Sequence, residues 1–141
     1  MKNKSIEELE NDYWGETEFS SYVSKTCHNA RKKPIAKLSY EEIRLMIGQK
    51  IGLKYLLPIA VSILEKNPLI EVTFFKGDLL KELLRLDIAE WKYNKTNLDK
   101  FRTIILDNYS LIKSCEEIPI KMTEKYLIIA EDNHSKYQED R

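Results

Sequence analysis

The residues with the widest chemical range in this chain are His28, His134, Cys27 and Cys115. A metal centre needs His, Cys or carboxylate ligands that converge on one point. Cys27 and His28 are adjacent, and neighbours on a helix point about 100° apart, so they diverge. Cys115 and His134 lack ligand spacing, and no metal is expected. Nucleophilic catalysis needs a Ser or Cys beside a base that an acid orients. His28 follows a helix face that Cys27 shares with the core and reads as a structural histidine, while His134 lies in the charged tail. Gly48 and Gly52 lack the third glycine and the Lys-Ser/Thr of a phosphate-binding loop. The carboxylate pairs Glu41-Glu42 and Glu116-Glu117 are adjacent, and the first has a helix-capping explanation. No catalytic residue, cofactor or small-molecule substrate is expected, and the chain is not read as an enzyme.

Charge placement says more than chemistry does. The 141 residues carry 23 basic and 23 acidic side chains, which disfavours a strongly basic nucleic-acid binder. Residues 1–20 nevertheless hold six acids (Glu7, Glu8, Glu10, Asp12, Glu16, Glu18) against Lys2 and Lys4, a local net of −4. Residues 21–60 hold eight bases against Glu41 and Glu42, a local net of +6. Solvated helix faces explain most such charges. The other reading is a patch that steers a basic partner. Tyr13 and Trp14 sit inside the acidic stretch, where Trp14 is either an interface anchor or a plug for the core. The candidate binding residues are therefore Glu7, Glu10, Asp12, Tyr13, Trp14, Glu16 and Glu18, with Asp78 and Glu82 as extensions.

These residues need a scaffold, and 43% hydrophobic content at this length suffices for one core. Residues 1–141 are read as a single domain with a frayed tail from about Ser135. No apolar run reaches the roughly 18 residues of a membrane span. The first residues carry positive charges but no apolar segment behind them, so a cytoplasmic location and no membrane partner are expected. Four glycines and four prolines leave few tight turns for an all-β fold.

Helix signals recur along the chain. Ser5 with Glu8 and Ser39 with Glu42 are capping boxes. The first opens a short helix to about Glu10; the second opens one with Ile43, Met46 and Ile47 buried, ending near Lys50 or Gly52. A helix is expected from Glu18 to Asn29 with Phe19, Tyr22, Val23, Cys27 and Ala30 inward, stopped at Pro34. Tyr55 to Lys66 is apolar nearly all round and should be central, with Pro58 near its first turn. Leu69 to Lys76 reads as an extended loop. Gly77-Asp78 starts a helix carrying Leu79, Leu80, Leu83 and Leu84. Thr96 is expected to cap a helix whose apolar face runs from Leu98 to Tyr109 and Ile112. Thr123 is expected to cap a last one to about Asn133. The fold class is all-α, a compact domain of about six or seven short helices.

Several stretches taken in order resemble a known family. They are residues 5–16 with their Asp12-Tyr13-Trp14-Gly15-Glu16 element, Thr26-Cys27-His28, Arg31 to Pro34, the run from Arg44 to Leu56, the turn at Asn67-Pro68, and Gly77 to Leu80. The series is similar to the CdiI-type immunity proteins of bacterial contact-dependent growth inhibition, over Ser5 to Leu84. Beyond Leu86 the chain departs from that pattern. The resemblance implies a protein that binds and neutralises the C-terminal toxin domain of a cognate CdiA effector, one-to-one, over or beside its active site, with a nuclease and in particular an RNase favoured. A ribonuclease holds a phosphate backbone in a basic cleft, and carboxylates can fill such a cleft. Protection from a lethal enzyme calls for nanomolar binding, about −12 kcal/mol. The shared glycines and Pro68 would fix helix junctions, leaving recognition to the variable positions. The alternative is a nucleic-acid-binding or regulatory helical protein, weakened by neutrality and by the shortness of Arg31-Lys32-Lys33.

Overall fold

A computed structural model of the chain describes residues 3–15 and 21–128. The architecture is all-α, as expected. The helices are α1 (Ile6–Glu10), α2 (Tyr22–Ala30), α3 (Tyr40–Gly48), α4 (Leu53–Lys66), α5 (Asp78–Leu84), α6 (Lys95–Asp107) and α7 (Tyr109–Lys113), with residues 124–128 also helical. Three 3-10 turns connect them, Ile35–Lys37, Ile88–Trp91 and Ile120–Thr123. Among the described residues the only β pairings are two isolated bridges, Ser5 to Pro34 and Glu71 to Lys76.

Both capping boxes form. The Ser5 and Ser39 hydroxyls accept from the Glu8 and Glu42 N–H groups, while those glutamates accept from the serine N–H groups. α4 lies between α3 and α6, and α3 also packs on α2 and α5. Leu56, Leu57, Ala60, Val61 and Leu64 of α4 meet Met46, Ile47, Leu79, Leu83 and Phe101 in one core. Each large apolar side chain buried this way is worth about 1.5–3 kcal/mol. A second focus is aromatic. The Trp91 ring stacks on Phe101 at 5.1 Å, and Tyr126 meets Phe101 edge-on at 5.1 Å. The Tyr126 hydroxyl accepts from Trp91 Nε1 at 3.2 Å and faces the Leu83 and Leu86 carbonyls at 2.9 and 2.8 Å.

Gly52 and Gly77 precede α4 and α5 with φ of +65° and +87°, a region costly to any residue with a Cβ. A Cβ on Gly77 would also stand 2.6 Å from Ile118 Cδ1.

Several boundaries differ from expectation. α2 begins at Tyr22, not Glu18, because the Ser21 hydroxyl caps it by accepting from the Ser24 N–H at 3.1 Å. Tyr22 consequently points outward and is exposed rather than core. Phe19 lies outside the described residues. α3 stops at Gly48, and α4 starts at Leu53. Pro58 therefore sits in the second turn of α4, where the N–H it lacks would have bonded the carbonyl of exposed Lys54. α6 is opened by Asn94, whose carbonyl accepts from the Leu98 N–H at 2.9 Å, so Thr96 is inside the helix. Asn108 ends α6 by donating its side-chain amide to the Ile104 carbonyl at 2.9 Å, and Tyr109 is left partly exposed. The last helix begins at Glu124 directly after Thr123, as expected, but the Thr123 hydroxyl donates to the Ile120 carbonyl at 2.7 Å instead of capping it. The expected end of the last helix at Asn133 and the tail from Ser135 lie outside the described residues. Residues 70–77 form a closed turn rather than an extended loop, with Gly77 N–H donating to the Ile70 carbonyl at 3.1 Å.

Candidate partner-binding site

The acidic N-terminal segment is stitched to the C-terminal end of α2 by backbone bonds. Glu7 N–H donates to the Arg31 carbonyl at 3.0 Å, and Ile35 N–H donates to the Lys4 carbonyl at 3.0 Å. α1 ends at Asn11, whose left-handed backbone turns the chain back toward α2. Asp12, Tyr13 and Trp14 then cross over Arg31.

Arg31 is the hub of this region. It is only 1% exposed, yet it carries a permanent charge. Its Nη2 donates to Glu10 Oε1 at 3.1 Å and to the Asp12 carbonyl at 2.8 Å. The Asp12 carboxylate lies 3.9 Å away. The Trp14 ring covers the guanidinium at 3.9 Å, and Trp14 Nε1 donates to Asp12 Oδ2 at 3.3 Å. Trp14 also lies 6.3 Å from the ring of His28. A buried guanidinium left unpaired would be strongly destabilising, so these contacts hold the segment in one geometry. Sequence reasoning placed Arg31 in the short basic run Arg31-Lys32-Lys33 and missed this hub. The available signal was an acidic, aromatic stretch followed by a cation that had to be buried with it.

The structure brings Glu10, Asp12 and Trp14 together, with Tyr13 beside them and Glu7 half-buried on α1. Tyr13 is 60% and Trp14 42% exposed, so Trp14 divides its surface between covering Arg31 and facing solvent. Glu16 and Glu18 lie outside the described residues.

Asp78 and Glu82 do not extend this patch. Asp78 is buried, and its carboxylate accepts from the Val72, Thr73 and Phe74 N–H groups at 2.8 Å each. Burial raises its pKa, but these three donors and the Arg44 charge outweigh that and hold the carboxyl below the usual aspartate range. Its role is to close the turn. Glu82 pairs with Arg44 at 3.3 Å and Arg85 at 3.5 Å on the α3–α5 side. The basic stretch is partly neutralised as well, since Lys33 pairs with Glu42 at 2.7 Å and Lys50 with Glu90 at 3.5 Å.

Among the described residues no group of three His, Cys, Asp or Glu side chains is placed to hold a metal ion. No helix among them is long and apolar enough to cross a membrane. A family model described as CDI immunity proteins matches residues 8–101, about two-thirds of the chain. That span takes in the Arg31 hub, α2 to α5 and the start of α6. No curated protein and no solved structure matches the chain.

Proposed function

The chain belongs to the family of CDI immunity proteins, and from that premise we propose that it neutralises the C-terminal nuclease domain of a cognate CdiA effector by covering its active site. The partner is a single toxin domain bound one-to-one in the cytoplasm. The protein acts by occupancy and not by turnover. The observation that carries this reading is the surface built on Arg31. Two aromatic side chains stand exposed beside carboxylates, and a buried cation holds one of them, Trp14, in place before any partner arrives. Exposed carboxylates steer a basic cleft toward the patch and raise the association rate. Ordered aromatics add contact area without a further ordering cost.

Glu10 is tied to buried Arg31, so reversing its charge would disturb the fold as well as the surface. Tyr13 is the cleaner probe; Asp12, whose carboxylate lies 3.9 Å from Arg31 and accepts from Trp14 Nε1, is read only in a variant that melts with the wild type. The ligand for the test is the C-terminal domain of the CdiA protein encoded beside this gene. Asp12→Lys should slow association about tenfold at low salt, with the difference fading as salt rises toward about 1 M. Tyr13→Ala should speed dissociation. Co-expression of the wild-type chain should protect cells and their RNA from that domain. Failure of the wild-type chain to bind or protect refutes the function. Intact binding with unchanged salt dependence in Asp12→Lys refutes the patch.

A further inference from the structure

The most exposed large apolar side chain among the described residues is not in the acidic patch. It is Phe74, 72% exposed at the tip of the 70–77 turn. The turn beneath it is unusually well secured. One buried carboxylate, Asp78, accepts from three consecutive N–H groups at 2.8 Å, the last of them that of Phe74 itself. Glu71 bridges to Lys76, and Asp78 N–H donates to the Phe75 carbonyl at 3.1 Å. The turn packs Ile70 and Val72 against the core, yet it leaves Phe74 outside it.

Phe74 also forms one wall of a cleft of about 290 Å³ between α2, α3 and α5. Exposed Tyr22 stands on the α2 side, where its hydroxyl lies 3.5 Å from Glu41. Arg44 and Arg85 both line the cleft, and Arg85 is exposed. Arg44 is 6% exposed, and its Cζ lies 5.1 Å from the Phe74 ring. Its Nη1 is taken by Glu82, while its Nε has no hydrogen-bond partner among the described residues. A buried donor without an acceptor is costly, and Arg44 shares that state with Arg31 Nε and Nη1 under the other patch.

We propose that this cleft is a second contact surface for the toxin domain, taking an apolar side chain of the toxin against Phe74 and Tyr22 and an oxygen acceptor, carboxylate or carbonyl, at the Arg44–Arg85 edge. The inference rests on the immunity function and adds a surface of different chemistry to it. The acidic patch meets a basic surface, whereas this cleft offers aromatic faces beside Arg44 and Arg85, each of which shares Glu82 and keeps further guanidinium N–H groups. A partner bound at both is fixed in orientation, and its specificity needs two matching features.

Phe74→Ala and Tyr22→Ala remove mostly exposed atoms, with one contact each to Arg44 and Glu41, so both variants should melt within a few degrees of the wild type. Titrated against the C-terminal domain of the CdiA protein encoded beside this gene, each should weaken binding at least tenfold, mainly through faster dissociation. The salt slope of association should be unchanged. Affinities within twofold of wild type for both variants overturn the proposal while leaving the immunity function standing. Loss of binding by the wild-type chain as well would mean that the function itself has failed. Retention of a fluorescein-labelled RNA 20-mer by the wild type, abolished in Phe74→Ala, would assign the cleft to nucleic acid and also overturn the proposal.

Discussion

Replacing Asp78 by Asn tests whether one carboxylate holds the 70–77 turn. Its Oδ1 accepts from Val72 and its Oδ2 from Thr73 and Phe74, all at 2.8 Å. Asparagine keeps one oxygen and turns an amide N–H₂ toward N–H donors. At least one charge-assisted bond is lost outright, and the others lose their ionic component. Bonds to charged groups are worth about 1.5–3 kcal/mol each, and stranded donors add to the cost. The losses overlap in one turn, so the expected destabilisation is about 2–4 kcal/mol, against a total stability of about 5–15 kcal/mol. The melting temperature should fall by on the order of 10 °C. The pH dependence gives an independent check. The folded pKa of Asp78 is depressed, so its contribution is present above the unfolded value near 3.9 and is lost as pH falls through the folded value. Urea denaturation followed by circular dichroism should show the wild-type advantage in full at about pH 7 and shrinking below about pH 4. A difference under about 1 kcal/mol at neutral pH, or one that stays constant into acid, would refute the reasoning.

Tyr126→Phe should cost about 2–3 kcal/mol, because it strands Trp91 Nε1 and the Leu86 carbonyl in a buried site and leaves the Leu83 carbonyl only its backbone partners. A thermal melt within about 2 °C of wild type would show that those groups find other partners. Cys27 is buried, and desolvation pushes its thiol up to about 11, so it should resist Ellman's reagent at about pH 8. Half-buried Cys115 should react first; titration of both thiols in the native protein at equal rates would contradict the packing of α2.

Local signals were legible where one residue and its near neighbour decide the structure. Both capping boxes, the central α4 and the leucines of α5 follow from spacing alone, because those contacts span one or two turns. Boundaries failed where two polar residues compete for one terminus. Ser21 caps α2 later than the expected start, and Asn94 displaced Thr96 at the start of α6. The site was legible only in part. An acidic, aromatic cluster is visible in residues 7–14, but the cation that organises it lies 21 positions from Glu10, beyond any helical period. Asp78 misled for a similar reason. As a charge beside Gly77 it resembled an exposed helix-start carboxylate, and only the tertiary structure shows three N–H groups folded onto it.

The two surfaces share one construction. In each, an exposed aromatic is held by a buried ionised group, Arg31 under Trp14 and Asp78 under Phe74. Neither arrangement is the most stable choice, since a buried charge replaced by a well-packed apolar residue is often neutral or stabilising. What the charge supplies is direction. Arg31 demands Glu10 and the Asp12 carbonyl in one place, and Asp78 demands three N–H groups in one place, whereas a leucine would accept many arrangements. On the proposed function, tight binding leaves little room for ordering loops on contact, because each rotamer-rich side chain immobilised then costs about 0.5–1.5 kcal/mol. A chain that orders its aromatics during folding meets that cost before the partner appears, and the buried charges are the means by which it does so.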